Sequence, residues 1–71
     1  MTTVNTNSNR LPVHARMRAA RTSQGLALEE VARRARLSLS TVRYAERGML
    51  SPRTATRLAR VLGIPVEDLQ P

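Results

Sequence analysis

Arg43 and Arg47 stand four residues apart in the stretch Leu39-Ser40-Thr41-Val42-Arg43-Tyr44-Ala45-Glu46-Arg47. Residues at i and i+4 share one face of a helix. A guanidinium is a planar, permanently charged fork of donors. It matches phosphate oxygens, or the two acceptors on the edge of a guanine. Tyr44 lies between the two arginines. Exposed, it can bond a phosphate or stack on a sugar; packed inward, it is ordinary core. Ser40 and Thr41 carry hydroxyls that reach an acceptor-rich surface or merely support the helix start. The chemistry on offer is recognition of an anionic surface, and the plainer reading is a solvated basic face.

A second arginine series, Arg53, Arg57 and Arg60, repeats at i, i+4 and i+7. Arg53 follows a loop at the head of its helix. Arg57 and Arg60 are expected to be solvated. No residues suit catalysis: there is no paired carboxylate in a cleft-forming context, no nucleophile beside a histidine base and no phosphate-cradling glycine loop. The single His14 is assigned no role. With five acids and no cysteine, no metal set, disulfide or cofactor is expected.

The elements that position these residues are helical. A chain of 71 residues is one domain at most, with a modest core and marginal stability. It is 41% apolar with one aromatic, so the core must be aliphatic. The formal charge is +7 and all twelve cations are arginine. That balance suits a polyanionic partner, although GC-rich codons alone also enrich arginine. No run of about 18 apolar residues exists to span a membrane. The first residues lack an apolar signal core, so a cytoplasmic location is the expectation.

Met1 to Leu11 is polar, with Arg10 its one charge, and reads as a flexible arm. Such an arm either reaches into a DNA groove or is only a tail. Residues 12–71 form the domain. Pro12 suits the first position of a helix ending near Ser23, with Val13, Met17 and Ala20 on its inner face and Gly25 as the stop. A second helix spans Leu28 to Ala35. Val31, Ala32 and Ala35 face inward, Glu29 and Glu30 lie in its first turn and Arg33 and Arg34 in its last. Ala27 is a weak N-cap. The turn Ala35-Arg36-Leu37 follows, with Leu37 pointing in. Ser38 caps a third helix running to about Arg47, with Val42 and Ala45 buried and Gly48 as the stop. Ser51-Pro52 starts a fourth, whose buried stripe is Ala55, Leu58, Ala59 and Leu62 and which Gly63 closes. Ile64 to Leu69 makes a last short helix over the core. The expected class is all-α, a compact five-helix domain.

These blocks together resemble the phage repressor and Cro type of helix-turn-helix, also known as xenobiotic-response-element-like domains. The resemblance covers about His14 to Leu69. It is carried by Arg21 before Gly25-Leu26, by EEVA at Glu29 to Ala32, by LSLSTVRYAERG at Leu37 to Gly48, and by SPRTATRLARVLGIPVEDL at Ser51 to Leu69. It implies a DNA-binding regulator, most simply a repressor, whose third helix enters the major groove of double-stranded DNA. Carried over residue by residue, Leu39, Ser40, Thr41, Arg43 and Tyr44 would face base edges or nearby phosphates. Arg47 and the loop from Gly48 to Arg53, including Ser51, would follow the sugar-phosphate backbone. Helix N-termini would offer N–H groups to phosphates. An Arg21–Glu46 ion pair would be structural. The resemblance further implies a palindromic operator, with half-sites about 34 Å apart. The homodimer on it would be weak, formed on DNA. No small-molecule ligand is expected.

Three positions depart from the family pattern. Leu28 and Leu39 replace polar residues that would touch phosphate and base. They would pack on each other, or Leu39 would meet a thymine methyl. Arg36 stands where the family often has glycine, so the turn must be strained or different. Two other readings compete. LSLSTVRYAERGMLSP also resembles the opening of MerR-type winged-helix or excisionase proteins, which requires a β-hairpin after Leu50. A protein-interaction module, such as an antitoxin or anti-repressor part, would instead use Leu28, Leu39, Met49 and Leu50 as an apolar patch.

Overall fold

The computed structural model describes residues 11–70. The expected arm lies outside the described residues except for Leu11. Four α-helices follow in order: α1 Val13–Ser23, α2 Leu28–Ala35, α3 Leu39–Ala45 and α4 Pro52–Leu62. A 3₁₀ turn, Val66–Leu69, ends the fold, and no strand occurs among the described residues.

The domain is all-α, but the fifth element is not an α-helix. Pro65 lies just before it, in extended backbone, and Gln70 after it is extended as well. A residue preceding proline in sequence is disfavoured in the helical region, which suits the extended backbone of Gln70 and a segment of one turn. Its bonds are the short i to i+3 kind, with the Asp68 N–H donating to the Pro65 carbonyl at 3.0 Å. Pro12 likewise falls just before α1 rather than inside it. Its ψ of 156° is extended, and its carbonyl accepts from the N–H groups of Ala15 and Arg16, each at 3.0 Å.

The core follows the apolar stripes. Met17, Val31, Val42, Leu58 and Leu69 are fully buried, one from each element. Burying such a side chain contributes about 1.5–3 kcal/mol, so five anchors hold most of the fold. Ala32, Ala35, Ala45, Ala55 and Ala59 fill the space between them and let the helices approach closely. The expected inward residues Val13, Ala20, Leu37 and Ile64 are half-buried against this cluster.

Polar residues fix the helix ends. The Ser38 hydroxyl accepts from the Thr41 N–H at 3.1 Å, and the Ser51 hydroxyl accepts from the Thr54 N–H at 3.2 Å. Ala27, at the N-cap of α2, makes no such bond. Gly25, Gly48 and Gly63 all adopt positive φ after their helices. The end of α3 is tightened: the Arg47 N–H donates to the Tyr44 carbonyl and the Gly48 N–H to the Ala45 carbonyl. The α-helix therefore stops at Ala45, two residues before Arg47. Two long-range bonds close the shell. The Gln24 side-chain amide donates to the Leu62 carbonyl at 2.7 Å, and Arg16 donates to the Asp68 carbonyl at 3.3 Å.

Arg36 takes the left-handed conformation, φ 58° and ψ 46°. The turn is the one a glycine would make, built with an arginine. The Leu37 N–H reaches back to the Ala32 carbonyl at 2.9 Å, satisfying an orphan carbonyl at the end of α2. On the other side, α4 occupies Pro52–Leu62, where the winged-helix alternative needs a hairpin. That reading is therefore overturned.

Candidate nucleic-acid interface

The third helix is short, and its two faces differ sharply. Val42 and Ala45 are fully buried, and they orient the rest of the helix. Ser40, Arg43, Tyr44 and the following Arg47 are exposed. Tyr44 keeps half of its surface in solvent, 50%, although it is the only aromatic of the chain. An aromatic ring left out of a core built from aliphatic residues is available for contact.

Glu46 is the one acid in this stretch, and it turns inward. Its residue is 8% exposed. The Arg21 Nε donates to Glu46 Oε2 at 2.6 Å, while Arg21 Nη2 lies 3.4 Å from Oε1. Arg21 Nη1 also donates to the Leu26 carbonyl at 2.8 Å. The pair thus ties α1 to the end of α3, as the resemblance implied. It also removes a negative charge from the helix surface. Among the described residues, Arg43, Arg47 and Arg53 form no ion pair with any carboxylate.

Arg18 is the residue that sequence reasoning missed. It lies 3.5 Å from Glu46 Oε1 with its side chain 66% exposed. With Leu28, Arg43, Glu46 and Arg47 it lines an open cleft of about 290 Å³ beside α3. Its only sequence signal is the i, i+3 spacing from Arg21, which is too common to single it out.

The remaining expected residues divide. Ser51 and Arg53 are exposed at the start of α4. The Ser51 hydroxyl donates to Thr54 Oγ1 at 3.0 Å, so it is already engaged in capping. Thr41 is half-buried, and its hydroxyl shares a 2.8 Å hydrogen bond with that of Ser38. Leu39 is half-buried at the head of α3. Leu28 and Leu50 are half-buried against the core, which leaves Met49, at 58%, as the broadly exposed member of the expected apolar patch. Arg57, expected to be solvated, is half-buried, and its Nη1 donates to the Arg36 carbonyl at 3.2 Å.

Charge elsewhere is partly compensated. Glu30 accepts hydrogen bonds from both Arg33 and Arg34 on α2. The Arg33 guanidinium first, then that of Arg34, holds its carboxyl below the usual carboxylate range. Both pairs are exposed and so worth little individually. Among the described residues no group of histidine, cysteine or acidic side chains could hold a metal ion. No helix among them is long and apolar enough to cross a membrane.

A family model described as helix-turn-helix matches residues 17–69 of the chain. No curated protein and no solved structure matches it.

Proposed function

The chain belongs to the phage repressor and Cro type of helix-turn-helix family, whose members are DNA-binding regulators, and from that premise we propose that it is a sequence-specific repressor of the phage or plasmid kind. In this reading α3 lies in the major groove of double-stranded DNA. The observation that carries it is the division of charge on α3 and the turn that ends it. Arg43 and Arg47 face solvent without an acidic partner among the described residues, while Glu46 is drawn into the shell by Arg21. A positive helix face with its acid removed suits a phosphate-lined groove.

The roles divide by reach. Arg43 reads a guanine through its paired donors, and Ser40 and Leu39 contact neighbouring base edges, Leu39 through a thymine methyl. Tyr44, Arg47, Ser51 and Arg53 follow the sugar-phosphate backbone. Thr41 holds the helix start and borders the bases. Leu28 meets the backbone at the head of α2, and Arg18 joins it from α1. The operator is palindromic and the protein pairs on it as a weak dimer, working in the cytoplasm at the nucleoid.

Selection of binding sequences from a random duplex pool, followed by salt titration on the winner, tests this. The expected result is a palindromic motif whose affinity falls steeply with salt, with a slope that counts the phosphates neutralised. A pool that shows no enriched motif, with weak binding lost at moderate salt, would overturn it.

A further inference from the structure

A second basic cleft opens between the end of α2 and the outer side of α4. It measures about 330 Å³ and is lined by Arg34, Ala35, Arg36, Arg57, Arg60 and Val61. It shares no residue with the cleft beside α3. Four guanidinium groups gather here, and no carboxylate lines the space. Only Arg34 has a carboxylate partner among the described residues, Glu30 at 2.7 Å. Arg57 reaches across to the Arg36 carbonyl. Among the described residues, the side chains of Arg36 and Arg60 show no hydrogen bond or ion pair.

The helix dipole accounts for part of this. Arg34 and Arg60 stand in the last turns of α2 and α4, where cations are favoured. It does not account for Arg57 in mid-helix, nor for Arg36, held in a left-handed conformation that suits glycine better. Gathered like charges repel in the free protein and call for a counter-anion.

We propose that this cleft is a second phosphate site, which holds nucleic-acid phosphodiesters while α3 holds the operator. The proposal rests on the DNA-binding reading of α3. The cleft favours phosphate over an acidic protein segment on two grounds. Arginine forks match phosphate oxygens in paired hydrogen bonds. A protein partner would need apolar anchors, and the lining offers only buried Ala35 and half-buried Val61. The phosphodiesters come from one of two sources: the flanks of the operator duplex, or a second duplex.

The experiment uses the full chain and its variants Arg57→Gln/Arg60→Gln, Arg60→Gln alone and Arg43→Ala/Arg47→Ala. Three readouts are taken: the salt slope on a duplex of operator length, the slope on the same operator flanked by about 20 base pairs on each side, and capture of an operator-free duplex by operator-bound protein on beads. The double cleft variant is expected to bind the minimal duplex unchanged. A same-duplex source lowers its slope on the flanked duplex by about two, and by about one for Arg60→Gln, which keeps the Arg57–Arg36 bond. A second-duplex source abolishes capture instead. Unchanged slope and unchanged capture in both cleft variants overturn the proposal. So do side-chain NMR shifts at Arg57 and Arg60 with hexaglutamate but none with operator-free duplex. Arg43→Ala/Arg47→Ala separates the two readings: if operator selection survives it, the α3 reading fails, whatever the cleft variants do.

Discussion

The Arg21 Nε lies 2.6 Å from Glu46 Oε2, and the two side chains are 15% and 6% exposed. This is a shielded ion pair between α1 and the end of α3, and it both braces the helix and clears its surface of negative charge. Removing one member of such a pair strands the other. Glu46→Ala or Arg21→Ala should each destabilise the domain by about 3–5 kcal/mol. The double change Arg21→Leu/Glu46→Leu should cost clearly less than the two single losses added together. Arg18→Ala, at an exposed site, should cost under about 1 kcal/mol. Thermal melts followed by circular dichroism would separate these three results, and equal losses for Arg18 and Arg21 would contradict the assignment.

Arg36 stores backbone strain at φ 58°. Arg36→Gly should therefore raise stability by about 1 kcal/mol, a shift of roughly 4–8 °C in Tm for a domain of this size. The acceptor for Arg57 is a backbone carbonyl and survives the change. Arg36→Val should act in the opposite sense, because a β-branched residue resists positive φ. A glycine variant that melts earlier would mean that the arginine side chain itself stabilises the turn.

Ala27 occupies the N-cap of α2 with an extended backbone and no capping bond. Ala27→Ser should add about 1 kcal/mol, since a serine hydroxyl can accept from the N–H groups of the first turn. Denaturant titration would show a higher midpoint with an unchanged slope.

At the interface, Arg43 and Arg53 should fail differently. Arg43→Ala should cost about 1–3 kcal/mol on the selected sequence and relax preference at one base pair. Arg53→Ala should weaken all sequences alike and reduce the salt slope by about one. Binding titrations on the selected site and on single-base variants of it would distinguish the two. Equal losses across sequences for Arg43 would remove it from base reading.

Glu30 gives a pH signature. Its folded-state pKa is depressed by Arg33 and then Arg34, so its contribution is present above the ordinary carboxylate range and is lost as pH falls through the lower folded value. The gap in Tm between the native chain and Glu30→Gln should be constant at neutral pH and close only in acid below the usual glutamate range. High salt should narrow it too, because the groups are exposed.

The sequence by itself determined the helices, their caps and the core. Helical period is a local property, so Met17, Val31, Val42 and Leu58 could be assigned to inner faces without knowing how those faces meet. Ser38 and Ser51 were legible for the same reason: a cap acts within three residues of itself. Arg36 was legible as an anomaly only against the family pattern, which often has glycine in that turn. The Arg21–Glu46 pair came only through family resemblance. What tertiary structure decided are contacts set by how helices cross. Arg57 bonds the carbonyl of a residue 21 positions away, and a backbone carbonyl has no signature in sequence. Arg18 enters the cleft beside Arg43 only because α1 lies next to the end of α3. Leu28, which the family pattern places at the DNA surface, is half-buried against the core cluster. Arginines repeated at helical spacing look alike along the chain; packing decides which remain free to meet an anion.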